Sequence, residues 1–138
     1  MIAFDTDVFT EILAGEPAYS QRAKAIPREE QSVPIVVVEE ILRGRLNAIR
    51  LAESGKARLT IEQAYGWLAQ SLRDFQRVRL LLHSSVAEAQ FRKWRSEQIR
   101  VPTHDLRIAA ICVAEGAKLV SRNRRDFEGI PGLDVEFW

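Results

Sequence analysis

Apolar positions along the chain alternate between two rhythms. Ile2-Ala3-Phe4 is a short apolar run that stops at Asp5 and reads as a strand over residues 2 to 5. Val8, Phe9, Ile12 and Leu13 then recur at helical spacing, and Gly15 ends that run. Pro17 fits the first position of a second helix reaching about Ile26. After a turn at Pro27 and Arg28-Glu29-Glu30, Val33 to Val38 is a β-branched run apolar on both faces. Such a run predicts a central, parallel strand, with Pro34 tolerable near its start.

From Glu39 the rhythm is helical again, through Ile41, Leu42, Leu46 and Ile49 to Ser54-Gly55. Thr60 and Gln63 have the spacing of a capping box, which predicts a helix running to about Phe75. Val78 to Leu82 reads as a third strand, and Ser84 or Ser85 as the cap of a helix that buries Val86, Phe91 and Trp94. Pro102-Thr103-His104 turns the chain into a helix over 105 to 115, closed by Gly116. Lys118 to Ser121 is a fourth strand and Val135 to Phe137 a short fifth. Strands alternating with helices predict an α/β domain, with a mostly parallel sheet and helices on both faces. At 138 residues the chain fits one domain spanning 1–138, and no repeat or low-complexity segment divides it.

Composition narrows the class. Apolar residues make up 46% and charged residues 28%, ordinary for a soluble globular protein. No run approaches the roughly 18 apolar residues of a membrane span. No basic leader precedes the first strand, so a soluble, cytoplasmic protein is expected. Cys112 is the single cysteine, which leaves no disulfide framework and no thiolate metal site. A net charge of +1 does not announce a nucleic-acid binder. Arginine nevertheless outnumbers lysine, and Arg122, Arg124 and Arg125 crowd beside Asp126. The arginine fork suits phosphate.

The acids carry the candidate chemistry. Asp5 ends the first strand, Glu39 and Glu40 follow the second apolar run, Asp105 opens an apolar helix, and Asp126 follows the fourth strand after a polar loop. Singly, each has a structural explanation: Asp105 as a helix cap contributing roughly 1 kcal/mol, Asp126 as a turn residue. Together they predict one site, because ligands in open parallel sheets bind beyond the carboxyl ends of the strands. Carboxylates gathered there repel unless cations or raised pKa values relieve them. Two to four carboxylate oxygens suit Mg2+ or Mn2+. No glycine-rich phosphate loop and no serine–histidine arrangement is present. His83 reads as a turn or packing residue; His104, beside Asp105, is open to a substrate contact. Asp7 reads as the cap of the first helix or as an extra carboxylate beside the site.

Phe4-Asp5-Thr6-Asp7-Val8, Val38-Glu39-Glu40-Ile41-Leu42-Arg43-Gly44, Asp105-Leu106-Arg107-Ile108-Ala109-Ala110 and Leu119-Val120-Ser121-Arg122-Asn123-Arg124-Arg125-Asp126-Phe127 occur in this order along the whole chain. The series resembles the PIN-domain ribonucleases, particularly the VapC-type toxins of bacterial toxin–antitoxin pairs. The resemblance implies a three-layer PIN-like fold and an acidic quartet of Asp5, Glu40, Asp105 and Asp126 that binds Mg2+ or Mn2+ for cleavage of RNA phosphodiester bonds. Glu40 rather than Glu39 takes the role, since the family's glutamate stands four residues before a glycine, here Gly44. Ser121 and Asn123 match the polar loop that orients the acids and the attacking water, with serine where threonine is commoner. Val37 departs from a frequent threonine, which removes a local capping hydroxyl.

The resemblance further implies a homodimer and a small VapB-type antitoxin that covers the site. Phe9, Ile12 and Tyr19 would face that partner or, equally, belong to the core. Arg122, Arg124 and Arg125 would cradle the RNA backbone, whereas Arg107 reads as solvated. Two alternatives compete. Ile2-Ala3-Phe4-Asp5-Thr6-Asp7 resembles the nucleophile motif of haloacid-dehalogenase-type phosphatases, but no later lysine and acidic pair completes it. A catalytically idle PIN-like module that binds RNA or protein would have little reason to retain all four acids.

Overall fold

The computed structural model describes residues 1–138. Five strands form one sheet: β1 (Ile2–Phe4), β2 (Gln31–Pro34), β3 (Arg79–Leu81), β4 (Lys118–Ser121) and β5 (Val135–Phe137). Their order is β3-β2-β1-β4-β5, and every neighbouring pair is parallel. The intervening helices are α1 (Thr6–Ala14), α2 (Pro17–Lys24), α3 (Ile35–Glu53), α4 (Ile61–Phe75), α5 (Ser85–Ser96), α6 (Thr103–Glu115) and α7 (Arg124–Phe127). The sheet and its flanking helices make the three-layer α/β arrangement that the alternating pattern predicts.

This order places the site. From β1 the chain moves outward through β2 and β3, then crosses back to β4 on the other side of β1. The sheet therefore changes winding direction between β1 and β4, where a crevice opens beyond the carboxyl ends. Phe4 pairs with Val120 at that edge, so Asp5 and Ser121 are the next residues out on adjacent strands. α6 lies in the middle of the molecule. Leu106 and Ile108 to Cys112 are all buried, and the small Ala109 and Ala110 let neighbouring backbones come close. It packs against α3, α5 and α7. Gly116 ends it at φ 64°, a left-handed position that suits glycine.

The second apolar run differs from the expected strand. β2 ends at Pro34, and Ile35 to Val38 form the first turn of α3. Proline pre-sets the extended turn at the helix start, and burial of Val36, Val37 and Val38 outweighs their preference for a strand. Glu40 consequently projects from the second turn of a helix instead of a strand end. No side-chain cap is made at the start of α3, because the cap position is Pro34, which has no side-chain acceptor; Val37 lies inside the first turn. The starts of α4 and α5 follow the sequence closely. Thr60 and Gln63 form their capping box, and Ser84, not Ser85, caps α5. Phe9 is buried, and Ile12 and Tyr19 pack against the core. No helix is long and apolar enough to cross a membrane.

Candidate active site

Asp5 is fixed from three directions. Its backbone N–H donates to Val120 O across to β4, 3.1 Å away. Its Oδ1 accepts from Val8 N at 2.9 Å, so Asp5 itself caps α1. The cap expected of Asp7 is thus made two residues earlier, because the strand already ends at Asp5 with extended geometry. Its Oδ2 accepts from the Ser121 hydroxyl. Asp5 is only 5% exposed and Ser121 fully buried. Burial pushes the Asp5 carboxyl above its ordinary range, while the bonds from Ser121 and Val8 pull it back.

A chain of hydrogen bonds runs from Asp5 to the last acid. Ser121 Oγ, which donates to Asp5, accepts from Asn123 N at 2.9 Å. Asn123 caps α7: its Oδ1 accepts from Asp126 N at 3.3 Å, and its Nδ2 donates to Asp126 Oδ2 at 2.8 Å. Asp126 is therefore held in a short helical turn, where a loop is expected from the sequence. Polar Ser121-Arg122-Asn123 breaks β4, and the Asn123 side chain nucleates the turn.

Asp105 reaches the same place from α6. Its expected role as helix cap is not taken up: α6 begins at Thr103 after Pro102, and Asp105 lies inside the first turn. That frees its carboxylate for the site. Burial first, then the adjoining Asp126 carboxyl and the charges of Glu40 and Asp5, push its carboxyl up to about 7. The three other acids are thus close enough to raise it. Glu40 Oε2 accepts from Thr6 Oγ1 at 3.1 Å, and its Oε1 is buried with no hydrogen-bond partner. All four acids share one edge, contributed by four different elements.

The donor set is all oxygen, carries an orphaned carboxylate oxygen, and contains a carboxyl strained by like charge. Those properties fit a hard divalent cation. No three His, Cys, Asp or Glu side chains form a ready-made cage. Mg2+ typically keeps several waters and takes only one or two carboxylates directly, so a pre-closed cage is not required for it.

The arginines beside the acids differ in their freedom. Arg122 lies 3.6 Å from Asp7 and 3.3 Å from Glu11, which joins the loop after β4 to α1. Arg124 pairs with Glu128 at 3.1 Å and lies 4.4 Å over the Phe137 ring. Arg125 is exposed and carries no ion pair. Arg107, read from sequence as solvated, stacks 5.0 Å over Phe91. His83 bonds Glu88 at 2.6 Å, as a turn residue would. Lys118 lies in β4 and faces Glu136 at 3.9 Å.

Sequence reasoning passed over two contacts. Thr6 holds Glu40, and His104 lies between Glu39 and Glu40, at 3.6 and 3.7 Å. Each adjoins a site acid in the chain, and that adjacency is the signal that could have found them. From Thr6 and Glu40 a groove of about 500 Å³ runs between α1, α3 and α4, past Leu13 and Arg45 to Trp67. Arg45 donates to Ser71 Oγ at 2.9 Å and lies 5.6 Å over the Trp67 ring.

Comparison with known proteins places the fold. No curated protein matches the chain. Among solved structures, the DNA-bound VapBC of Salmonella typhimurium is similar at 21% identity and TM-score 0.79, covering 100% of this chain and 99% of that one. VapBC-1 of nontypeable Haemophilus influenzae is similar at 19% identity and TM-score 0.76, covering 100% and 98%. VapBC2 of Rickettsia felis, bound to a promoter DNA fragment, is similar at 22% and 0.75, covering 100% and 99%. At these identities the likeness establishes the fold. The family model described as PIN domain matches residues 2–133. On that match, with the parallel five-stranded sheet beneath it, the chain belongs to the PIN domain family.

Proposed function

We propose that the protein is a Mg2+- or Mn2+-dependent endoribonuclease, the toxin of a VapBC-type toxin–antitoxin pair. The observation that carries the reading is the gathering of four carboxylates from four elements at one edge, with Glu40 Oε1 buried there without a hydrogen-bond partner and the Asp105 carboxyl raised by burial and by the other three. Such repulsion is costly unless a cation relieves it. In this reading Asp5, Glu40, Asp105 and Asp126 hold the ion, with Ser121 and Asn123 orienting Asp5 and Asp126 through the hydrogen bonds described. When bound, the ion supplies activation of a water for in-line attack and offsets charge on the phosphate.

The protein's own residues supply position. Asp5 is immobilised by its cap and by Ser121, so the edge of the site is fixed before substrate arrives. Asp105 must lose its proton to act as a ligand, which makes metal affinity rise with pH towards and through neutrality. Arg125 is free to meet an RNA phosphate, whereas Arg122 and Arg124 first have to leave Asp7, Glu11 and Glu128.

The similar solved structures are VapBC assemblies, which supports a small antitoxin as partner here. The groove running from Glu40 to Trp67 is where we place that partner, in preference to the mostly buried Phe9, Ile12 and Tyr19. A homodimer and a cytoplasmic site of action complete the proposal. The test is hydrolysis of RNA oligonucleotides against a small phosphoester, with Mg2+ or with chelator. RNA cleavage that requires the metal and is lost in Asp5→Asn and Asp105→Asn is expected. Turnover of the phosphoester alone would sink the reading.

A further inference from the structure

Glu40 is held differently from the other acids, and the significance of its setting rests on the nuclease reading. Asp5 is a helix cap and Asp126 is tied to Asn123, so both are fixed locally. Glu40 is a longer side chain on the second turn of α3, with no cap or neighbour on its own element to orient it. Ordering such a side chain costs conformational entropy that some contact has to offset.

Two contacts meet its two oxygens. Oε2 accepts from Thr6 Oγ1 at 3.1 Å. Oε1 is buried without a hydrogen bond, and Nδ1 of His104 stands 3.7 Å from it. Closing that gap needs a shift of under about 1 Å, and the cost of leaving a buried carboxylate oxygen unpaired favours it. Behind the imidazole, Nε2 faces Glu39 Oε1 at 3.6 Å, and Glu39 is itself anchored by Arg43 at 2.6 Å. Glu39 thus backs the ring on the rim of the site.

We propose that Thr6 and His104 are positioning residues that clamp Glu40 from its two oxygens. Thr6 directly follows Asp5, and His104 directly precedes Asp105. Each of these two short motifs then delivers one acid and one hold on a third. Because Thr6 opens α1 and His104 lies in the first turn of α6, the clamp also registers α3 against both helices. Partners of this kind behind metal-ligating groups are worth about 10- to 100-fold in metal affinity or activity.

The experiment measures Mn2+ binding to the intact protein by electron paramagnetic resonance of the free ion, together with kcat and KM on an RNA oligonucleotide and a thermal melt. Thr6→Val and His104→Ala are expected to weaken Mn2+ binding about tenfold and to lower kcat with KM unchanged. Thr6→Ser and His104→Asn keep a donor and recover most of both. The His104 side chain is 30% exposed, so its truncation leaves a folded protein even where Thr6→Val does not. Wild-type Mn2+ affinity and kcat in His104→Ala would overturn the clamp and leave the nuclease reading standing. Absence of Mn2+ binding by the wild-type protein would overturn that reading and the clamp with it.

Discussion

The two halves of α3 live in different surroundings. Its first half, through Val36, Val37 and Val38, is buried in the main core and delivers Glu40 to the acid edge. Its second half packs Ile49 and Ala52 against Ala64 of α4 in a separate small cluster. That α3–α4 hairpin leaves Leu46, Ile61, Tyr65, Trp67 and Leu72 about half exposed. One helix therefore joins the buried edge where the acids gather to a shelf whose apolar surface the chain does not use for itself. Chemistry belongs to the first and, in our reading, partner binding to the second.

The largest expected effect separates the two regions by activity. Asp5→Asn should lower metal-dependent RNA cleavage by about a thousandfold, the order expected for losing several kcal/mol of transition-state charge stabilisation. Trp67→Ala, on the hairpin, should leave cleavage within about twofold of wild type, as a surface change costs within about 0.5 kcal/mol. The same Trp67→Ala should weaken neutralisation by the antitoxin, measured as the antitoxin concentration that halves cleavage. A hairpin variant that kills cleavage outright would dissolve the comparison.

Stability should divide in the same way. Ile108→Ala or Ile111→Ala, both almost completely buried in α6, should cost about 2–5 kcal/mol in urea unfolding. Leu46→Ala, 58% exposed, should cost no more than about 0.5 kcal/mol.

A smaller effect comes from the acids themselves. Asp105 is raised in the folded protein to about 7 from an ordinary 3.8. Between those values the folded state keeps a proton that the unfolded state releases, so stability without metal falls as pH rises through that window. At pH 8, Asp105→Asn should raise the melting temperature by roughly 4 °C, taking about 1 kcal/mol after discounting for the group's partial exposure, and should flatten the pH slope. A melting temperature that instead rises with pH in the wild-type protein would contradict the crowding of carboxylates at this edge. The smallest effect is electrostatic. Arg125→Ala should reduce the salt dependence of RNA binding by about one phosphate contact, and Arg124→Ala by less, since Arg124 is engaged by Glu128 and Phe137.

These contrasts also mark how far the sequence could be read. The strand–helix alternation, the capping box at Thr60 and the closing Gly116 rest on local rules, and each appears in the structure where those rules place it. The run Ile35 to Val38 does not, because its β-branched residues are buried by partners distant in the chain and tertiary packing overrides local preference. Asp5 and Asp126 were legible because they follow the strands β1 and β4, which the sheet order makes neighbours, whereas Ser121 and Asn123 were legible only through the family's polar loop. Glu39 and Glu40 were legible as a pair after the second apolar run, but the choice of Glu40 came only from the family motif, as its position depends on the helix that the run was not expected to form. Thr6 and His104 were hidden by their acidic neighbours. Their contacts with Glu40 join residues 34 and 64 positions apart, a separation no local pattern encodes.

The central claim is that the four acids act as one unit on RNA, and the most direct measurement is a double-mutant comparison of cleavage rates in Mg2+. Asp5→Asn and Asp105→Asn should each abolish most of the activity, and the double variant should be scarcely slower than either, as happens when residues serve a single step together. Losses that multiply independently, or cleavage retained by either single variant, would contradict it.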